Sequence, residues 1–410
     1  MASFPTLTRH LSLLLAAQSL AGSTSAVAFL VSGFIGTRLT PVPSLATLPM
    51  STFVIGVAAS SSLAAWTMSK TGRKRGHLIG VLIGATGALL SAVSLLLQSF
   101  WGYSACCWLL GVGTAFTNQI RFTAAEAAPV EERGLVHSSI LMCGLFAAIL
   151  GPGIAGAGRN LIPDSLFAID GPKEYTGSYL LLLGILCAAA AALAFLPSVP
   201  NTIPQYAPIE RKGRMGRVLV RPEFWLACAS GTASYAVMTL LMSATPMQMT
   251  EVEHFSHHDA IFTIQSHIVA MFLPSLFSGI LITRLGLWKL ILAGLVLFAA
   301  CIPIAVAAGT LHDYWWALVL LGVGWNFLFL AGSTTLSVSF SGSDRFTAQG
   351  LNDTVVFGTQ ALASLGAGWM LYAIGWRGLA FVPIPFLLIV LALSWYYRRR
   401  LATISPHSPV

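Results

Sequence analysis

Charge is what this chain of 410 residues has least of: only 9% of its residues are Asp, Glu, Lys or Arg. Soluble domains carry about 25%, so no sizeable soluble domain fits inside it. The six cysteines, Cys106, Cys107, Cys143, Cys187, Cys228 and Cys301, form no CxxC pair and fall inside apolar runs. They read as small packing residues, not as a disulfide framework. A nucleotide-phosphate loop, a nucleophile elbow and an HExxH motif are all missing, which argues against an ATP-driven pump or a hydrolase. Paired catalytic groups at matched depth are missing too, so the chain does not read as an enzyme, and no cofactor is expected.

Apolar runs fill the space that charge leaves: 56% of the residues are hydrophobic and the mean hydropathy is +0.79. The runs are about 20 residues long, enough to cross a hydrocarbon core of about 30 Å as helices. A β-barrel, the other structure that satisfies its backbone in lipid, uses short alternating strands that these runs exclude. Helices are expected near 12–36, 47–69, 77–98, 103–127, 135–158 and 177–197, and again near 223–245, 259–282, 288–308, 315–338, 347–372 and 380–398. The fold class is thus an all-α membrane protein with twelve transmembrane helices. The first run follows a short basic start without a convincing cleavage site before Gly33-Phe34-Ile35-Gly36, so it reads as a retained helix and not a signal peptide.

The net charge of +8 is explained by topology. With the N-terminus inside, one face collects Arg9, Lys70, Arg73, Lys74, Arg75, Arg133, Arg211, Lys212, Arg214, Arg217, Arg221, Arg284, Lys289, Arg345 and Arg398 to Arg400. The other holds only Arg38, Arg159, Lys173 and Arg377. This is the bias of the positive-inside rule, and it places both termini in the cytoplasm. No nucleic-acid partner is called for.

The chain also repeats itself. Leu109-Leu-Gly-Val-Gly113 opens the fourth expected helix and Leu320-Leu-Gly-Val-Gly324 the tenth. Glu132-Arg133 and Asp344-Arg345 follow at nearly the same offset, and Lys70-Thr-Gly72-Arg73 corresponds to Arg284-Leu-Gly286. A basic stretch, Arg211-Lys-Gly-Arg-Met-Gly-Arg217, lies in the polar interval between the sixth and seventh helices. Two six-helix bundles are therefore expected over 1–197 and 223–410, joined by a cytoplasmic linker over 198–222.

These features resemble the major facilitator superfamily over essentially the whole chain. Its loop signature between helices 2 and 3 is matched in its basic part by Lys70-Thr-Gly72-Arg73-Lys74-Arg75, while Ser69 stands for the usual acid and Ala65 for the first glycine. In the second half Gly279, Arg284 and Gly286 match and Thr283 replaces the acid. Gly151-Pro152-Gly153-Ile-Ala-Gly156 is similar to the glycine-proline signature of the antiporter branches. Arg121-Phe-Thr-Ala-Ala-Glu126, Ile264-Gln-Ser-His267 with Pro274, Gly324-Trp-Asn-Phe327 and Leu351-Asn-Asp353 look like recurring segments of a less characterised bacterial branch. Some relatives in that branch are assigned to flavin-type vitamin uptake. The resemblance implies two pseudo-symmetric bundles, with helices 1, 4, 7 and 10 lining a cavity and helices 2, 5, 8 and 11 forming a seam.

The candidate residues are the few polar groups within helices. Arg121 is a buried charge, which by default signals function, and its guanidinium fork suits a carboxylate or phosphate; Thr114, Asn118 and Arg121 recur at helical spacing. The alternative is a structural arginine bonded to backbone carbonyls. Glu126 is turned about 140° from Arg121 on a helix, and the resemblance implies that it meets Lys70 at an inner gate with Gly72, Arg73 and Arg284. Asp353, with Asn352 beside it and Phe357 and Gln360 on its face, is a carboxylate candidate for proton coupling, as is Glu126. Gln265 and His267 supply an amide and a titratable ring; the bland reading of His267 is a satisfied core histidine, and His137 is expected at the interface. Trp325, Asn326, Phe329, Tyr235, Met238 and Met242 suggest an aromatic and amide lining for a planar molecule, against ordinary packing. The loop Glu251-Val-Glu253-His254-Phe-Ser-His257-His258-Asp259 offers ligand types for a divalent metal, but no spacing that forces a site, so no bound metal is assigned.

The expectation is a monomeric, multi-pass transporter of the bacterial inner membrane. It would move a small polar or anionic organic molecule by alternating access, with protons as the coupling ion and the lipid bilayer as surroundings. The rivals are a drug/proton efflux pump, which the missing acid in the first helix disfavours, a carrier of a divalent metal or metal chelate, and a non-transporting sensor. Direction is left open.

Overall fold

The computed structural model describes residues 4–42, 45–159, 161–162, 175–197 and 211–404. Among these there is no strand. Ten segments are helices long and apolar enough to cross a membrane. The last of them, Asp344–Arg399, runs for 56 residues, long enough for two crossings. The first part of the expected linker, 198–210, and Lys173 lie outside the described residues.

The chain packs as two compact units. One comprises Met1–Ala124 and Cys143–Pro204, the other Ala125–Met142 and Gln205–Val410. The first unit contains α1 (Phe4–Leu39), α2 (Leu48–Thr71), α3 (Arg73–Leu96), α4 (Phe100–Thr117), the start of α5 (Ile120–Ala127), the later part of α6 (Arg133–Arg159) and α7 (Thr176–Ala194). The second contains the end of α5, the first turns of α6, a short basic helix α8 (Arg211–Leu219), α9 (Pro222–Met247), α10 (His257–Phe272), α11 (Ser275–Leu285), α12 (Leu287–Ala307), α13 (Leu311–Ser339), α14 (Asp344–Phe381) and α15 (Pro383–Ile404). All six cysteines are free thiols, and only Cys187 is exposed.

The repeated Leu-Leu-Gly-Val-Gly string does the same work in each unit. Two residues along a helix turn by about 200°, so its two glycines face opposite neighbours. A side chain at Gly111 would strike the Phe53 carbonyl of α2, and one at Gly113 would stand 2.8 Å from the Gly80 carbonyl of α3. In the second unit Gly322 faces the His267 carbonyl of α10, 2.8 Å from where its Cβ would be, and Gly324 faces the Phe298 ring of α12. Small residues let helix backbones approach where lipid supplies no hydrophobic drive for association. The loops after α2 and α11 repeat as well: Gly72 has φ 84° and ψ 161°, Gly286 φ 82° and ψ 163°. Such a backbone is open to glycine and strained for other residues.

The basic helix α8 is anchored by an exposed bidentate pair, with Arg217 donating to both Asp344 carboxylate oxygens at 3.0 and 2.7 Å. These hydrogen bonds raise the Arg217 guanidinium above its ordinary pKa.

Candidate functional site

In the first unit the fourth expected helix is not continuous. α4 ends at Thr117 and α5 starts at Ile120, with a turn at Asn118–Gln119. The amide of Gln119 reaches Phe116 at 3.2 Å and that of Phe122 reaches Gln119 at 3.1 Å, both one residue short of the α-helical step. Three side chains gather at this break. Arg121, only 4% exposed, donates from Nη1 to the Asn118 carbonyl at 2.9 Å and lies 4.3 Å over the Phe122 ring. Arg73 donates to Gln119 Oε1 at 3.4 Å, so the loop signature reaches the break. His77, fully buried on α3, spans it: Nδ1 lies 3.2 Å from the Phe116 carbonyl on α4, and Nε2 lies 2.7 Å from Thr123 Oγ1 on α5. A carbonyl only accepts, so Nδ1 carries the proton and Nε2 accepts from the threonine. Lys70 is exposed in the last turn of α2, where a cation suits the helix dipole.

In the second unit Glu126 lies 3.5 Å from Arg345 Nε and accepts a hydrogen bond from Gln349 at 3.2 Å. The first turns of α6 are joined to α11 and α13. Ser138 donates to the Ser275 carbonyl at 2.6 Å and shares a 3.1 Å hydrogen bond with Ser278, while Arg133 donates to the Ser337 carbonyl. His137, at the start of α6, is fully buried within the protein. Ser337 spends its proton on the Ser333 carbonyl, so His137 Nε2 donates to Ser337 Oγ at 2.6 Å. Arg284 is exposed beside Gly286.

Two of the sequence segments singled out above meet each other. His267, fully buried on α10, donates from Nδ1 to the Leu318 carbonyl of α13 at 2.7 Å. Pro274 lacks an N–H and interrupts the run between α10 and α11. At that interruption Asn326 of α13 donates from Nδ2 to the Met271 carbonyl at 2.8 Å and to Ser275 Oγ at 2.7 Å. Side chains from a neighbouring helix thus serve a proline-broken segment. Gln265, two residues before His267, is exposed and does not share its face.

Around Trp325 the second unit carries an aromatic cluster drawn from four helices. The half-buried Tyr235 of α9 meets Trp325, Phe329 and Phe357 edge-on, at centroid distances of 5.3, 5.0 and 5.2 Å. Trp325 stacks on Phe329 at 5.2 Å, and Phe272 of α10 closes on it at 5.6 Å. One turn before Phe357, Asp353 is 1% exposed and accepts from Asn352 Nδ2 at 3.0 Å. Gln360 is half-buried further along α14. A buried carboxylate and Phe357, one member of the aromatic cluster, therefore share one stretch of α14.

The expected residues thus fall into separate groups. Arg121 and Asn118 share the break in the first unit, Trp325 sits in the aromatic cluster, and Asp353 and Gln360 lie on the helix that contributes Phe357. His267 Nδ1 and the Asn326 amide nitrogen join helices, while among the described residues His267 Nε2 and Asn326 Oδ1 are buried without a hydrogen-bond partner. The sequence reading missed His77, Gln119, Ser138 and Gln349, and placed Arg345 only in the charge bias and the internal repeat. His77 was visible as the residue one turn after Arg73, on the same face of α3. Among the described residues no three of His, Cys, Asp and Glu gather to hold a metal. In the acidic loop Glu253 accepts from Gln248 at 3.2 Å, and Asp259 from Ser256 at 2.6 Å.

Comparisons with known proteins agree with this architecture. The riboflavin transporter RfnT of Brucella anthropi is 35% identical over 386 residues, covering 93% of this chain and 94% of the relative. An uncharacterized MFS-type transporter of Bacillus subtilis, YddS, is 27% identical over 405 residues, covering 95% and 91%. Among solved structures, the E. coli fucose:proton symporter FucP superposes with a TM-score of 0.75 at 16% identity, covering 94% of this chain and 98% of its own. The family description Major Facilitator Superfamily matches residues 11–355 and 228–409. The chain belongs to the Major Facilitator Superfamily, and it is a multi-pass membrane protein of that family's transporter fold.

Proposed function

We propose that this protein is a secondary transporter that takes up riboflavin, or a closely related planar flavin, across the bacterial inner membrane by proton-coupled alternating access. The carrying observation is the 35% identity to a riboflavin transporter over nearly the full length of both chains. The aromatic cluster supports the reading. A tricyclic, uncharged ring system is held best by aromatic faces and edges, and Tyr235, half-buried against Trp325, Phe329 and Phe357, offers both. Gln360, on the same helix as Phe357, supplies a donor for the ring carbonyls and the ribityl hydroxyls in this reading, and Asn118 and Arg121 are the substrate-binding candidates of the first unit. Asp353 is the proton-coupling carboxylate in this reading, because it is buried within a span, one turn before Phe357. In this reading Lys70, Gly72 and Arg73 are gate residues of the first unit and Glu126 and Arg284 gate residues of the second, with both termini cytoplasmic.

Radiolabelled riboflavin uptake in a riboflavin-auxotrophic bacterium lacking its own importer tests this directly. Cells expressing the chain should grow on low riboflavin and accumulate label, and a protonophore should abolish the accumulation. Absence of riboflavin flux from a folded, membrane-inserted protein would end the substrate assignment. Flux that ignores the protonophore would end the coupling assignment.

A further inference from the structure

A cleft of about 530 Å³ opens at the basic end of the second unit, away from every residue discussed as a transport site. It is lined by Leu219, Val220, Pro222, Trp225, Tyr396, Tyr397 and Arg399. Its floor is the α8–α9 corner, where Trp225 donates from Nε1 to the Leu219 carbonyl at 2.8 Å and is thereby fixed on the rim. Its far wall is the last stretch of α15. Val220 and Tyr396 are 79% and 77% exposed, an apolar and aromatic surface of the kind that sits at a membrane–water boundary. Met215, between Arg214 and Arg217, and Leu219, just past Arg217, extend this surface along α8.

The charge around the cleft has one sign left over. Glu223 stands 3.7 Å from Arg221, whose guanidinium also covers the Phe340 ring at 4.6 Å. Arg217 is held by Asp344, and Arg398 lies 4.3 Å over Trp395 with Nη1 on the Trp395 carbonyl. Among the described residues, Arg399 and the hydroxyls of Tyr396 and Tyr397 make no hydrogen bond or ion pair. An unspent guanidinium and two unspent phenols thus face a cleft with an aromatic rim. Phosphate diesters take arginine and hydroxyl donors of this kind, and basic pockets at membrane helix ends hold anionic headgroups.

We propose that this cleft binds the headgroup of an anionic phospholipid. Arg399 takes the phosphate, the tyrosine hydroxyls take the glycerol or phosphate oxygens, and Trp225 and Val220 lie against the acyl chains. The site is independent of the riboflavin reading.

Native mass spectrometry of the delipidated full-length protein tests this with dioleoylphosphatidylglycerol and dioleoylphosphatidylcholine as probes. Phosphatidylglycerol should bind in preference, and Arg399→Gln should weaken it about fivefold, the factor that one basic residue at a lipid surface represents. Lys289→Gln, an exposed cation of the same unit outside the cleft, should leave binding unchanged and controls for general surface charge. Inorganic phosphate should not displace the lipid. Equal binding of the two lipids, equal losses in the two variants, or displacement by phosphate would each overturn the proposal. Because Arg399 is exposed, its substitution leaves the fold intact, which a matched unfolding curve verifies.

Discussion

Replacing Asn326 with Leu should loosen the second unit. The side chain is fully buried, and it donates to the Met271 carbonyl at 2.8 Å and to Ser275 Oγ at 2.7 Å. Leucine keeps the branched skeleton with bulkier methyls in place of the amide oxygen and nitrogen, so the change removes two hydrogen bonds and adds some crowding. Side-chain hydrogen bonds between membrane helices average about 0.6 kcal/mol, with a maximum near 1.7. Two of them lost together therefore cost about 1 to 3 kcal/mol, a factor of about 5 to 150 in the folded population. The Met271 carbonyl lies in the turn that Pro274 interrupts and is served there by a fully buried amide, which favours the upper part of that range. Reversible unfolding in mixed micelles measures the loss. Ser275→Ala should cost less, and the double variant less than the sum, because the two residues share a bond. A leucine variant as stable as the parent within about 0.3 kcal/mol would refute the idea that Asn326 secures the broken helix.

Gly322→Val should destabilise by about 1 to 3 kcal/mol, because the new side chain meets the His267 carbonyl, a backbone atom that cannot swing aside; the same unfolding assay reads it, and Gly216→Val, with open space around it, is the neutral comparison. Under the riboflavin reading, Tyr235→Ala should raise the apparent KM for uptake about three- to tenfold through lost ring contacts, while Tyr235→Phe should leave it near the parent value. Asp353→Asn should still exchange labelled for unlabelled riboflavin at equal concentrations on both sides. It should no longer accumulate riboflavin when an inward proton gradient is imposed, and accumulation by the asparagine variant would remove Asp353 from the coupling role.

Much of the fold was legible because each determinant is local. Apolar run length marks the helices, and the Leu-Leu-Gly-Val-Gly and Gly72/Gly286 repeats expose the duplication before any coordinate is known. What was not legible is where polar side chains spend their hydrogen bonds. That His267 and Asn326 serve carbonyls across the α10–α13 packing is a partner choice that depends on rotation between helices far apart in sequence. The break at Asn118–Gln119 was also invisible. Neither residue is a proline or glycine, and what marks the break is a set of distant side chains, Arg73 and His77. The aromatic cluster around Trp325 was half visible: Tyr235 and Phe329 were on the candidate face, but nothing in the sequence said that Phe272 would join them.

The double-glycine strings carry a consequence for how this protein can vary. At Gly111, Gly113, Gly322 and Gly324 the spacing between three adjacent helices is set by atoms that are missing. Such a spacer is asymmetric under mutation: the residues facing it can shrink at small cost, while the spacer itself cannot grow. Drift in each three-helix slab is therefore steered toward the faces turned away from these glycines. A library that randomises the outward positions of α4 and α13 and leaves the four glycines untouched should keep far more folded members than one built the other way round.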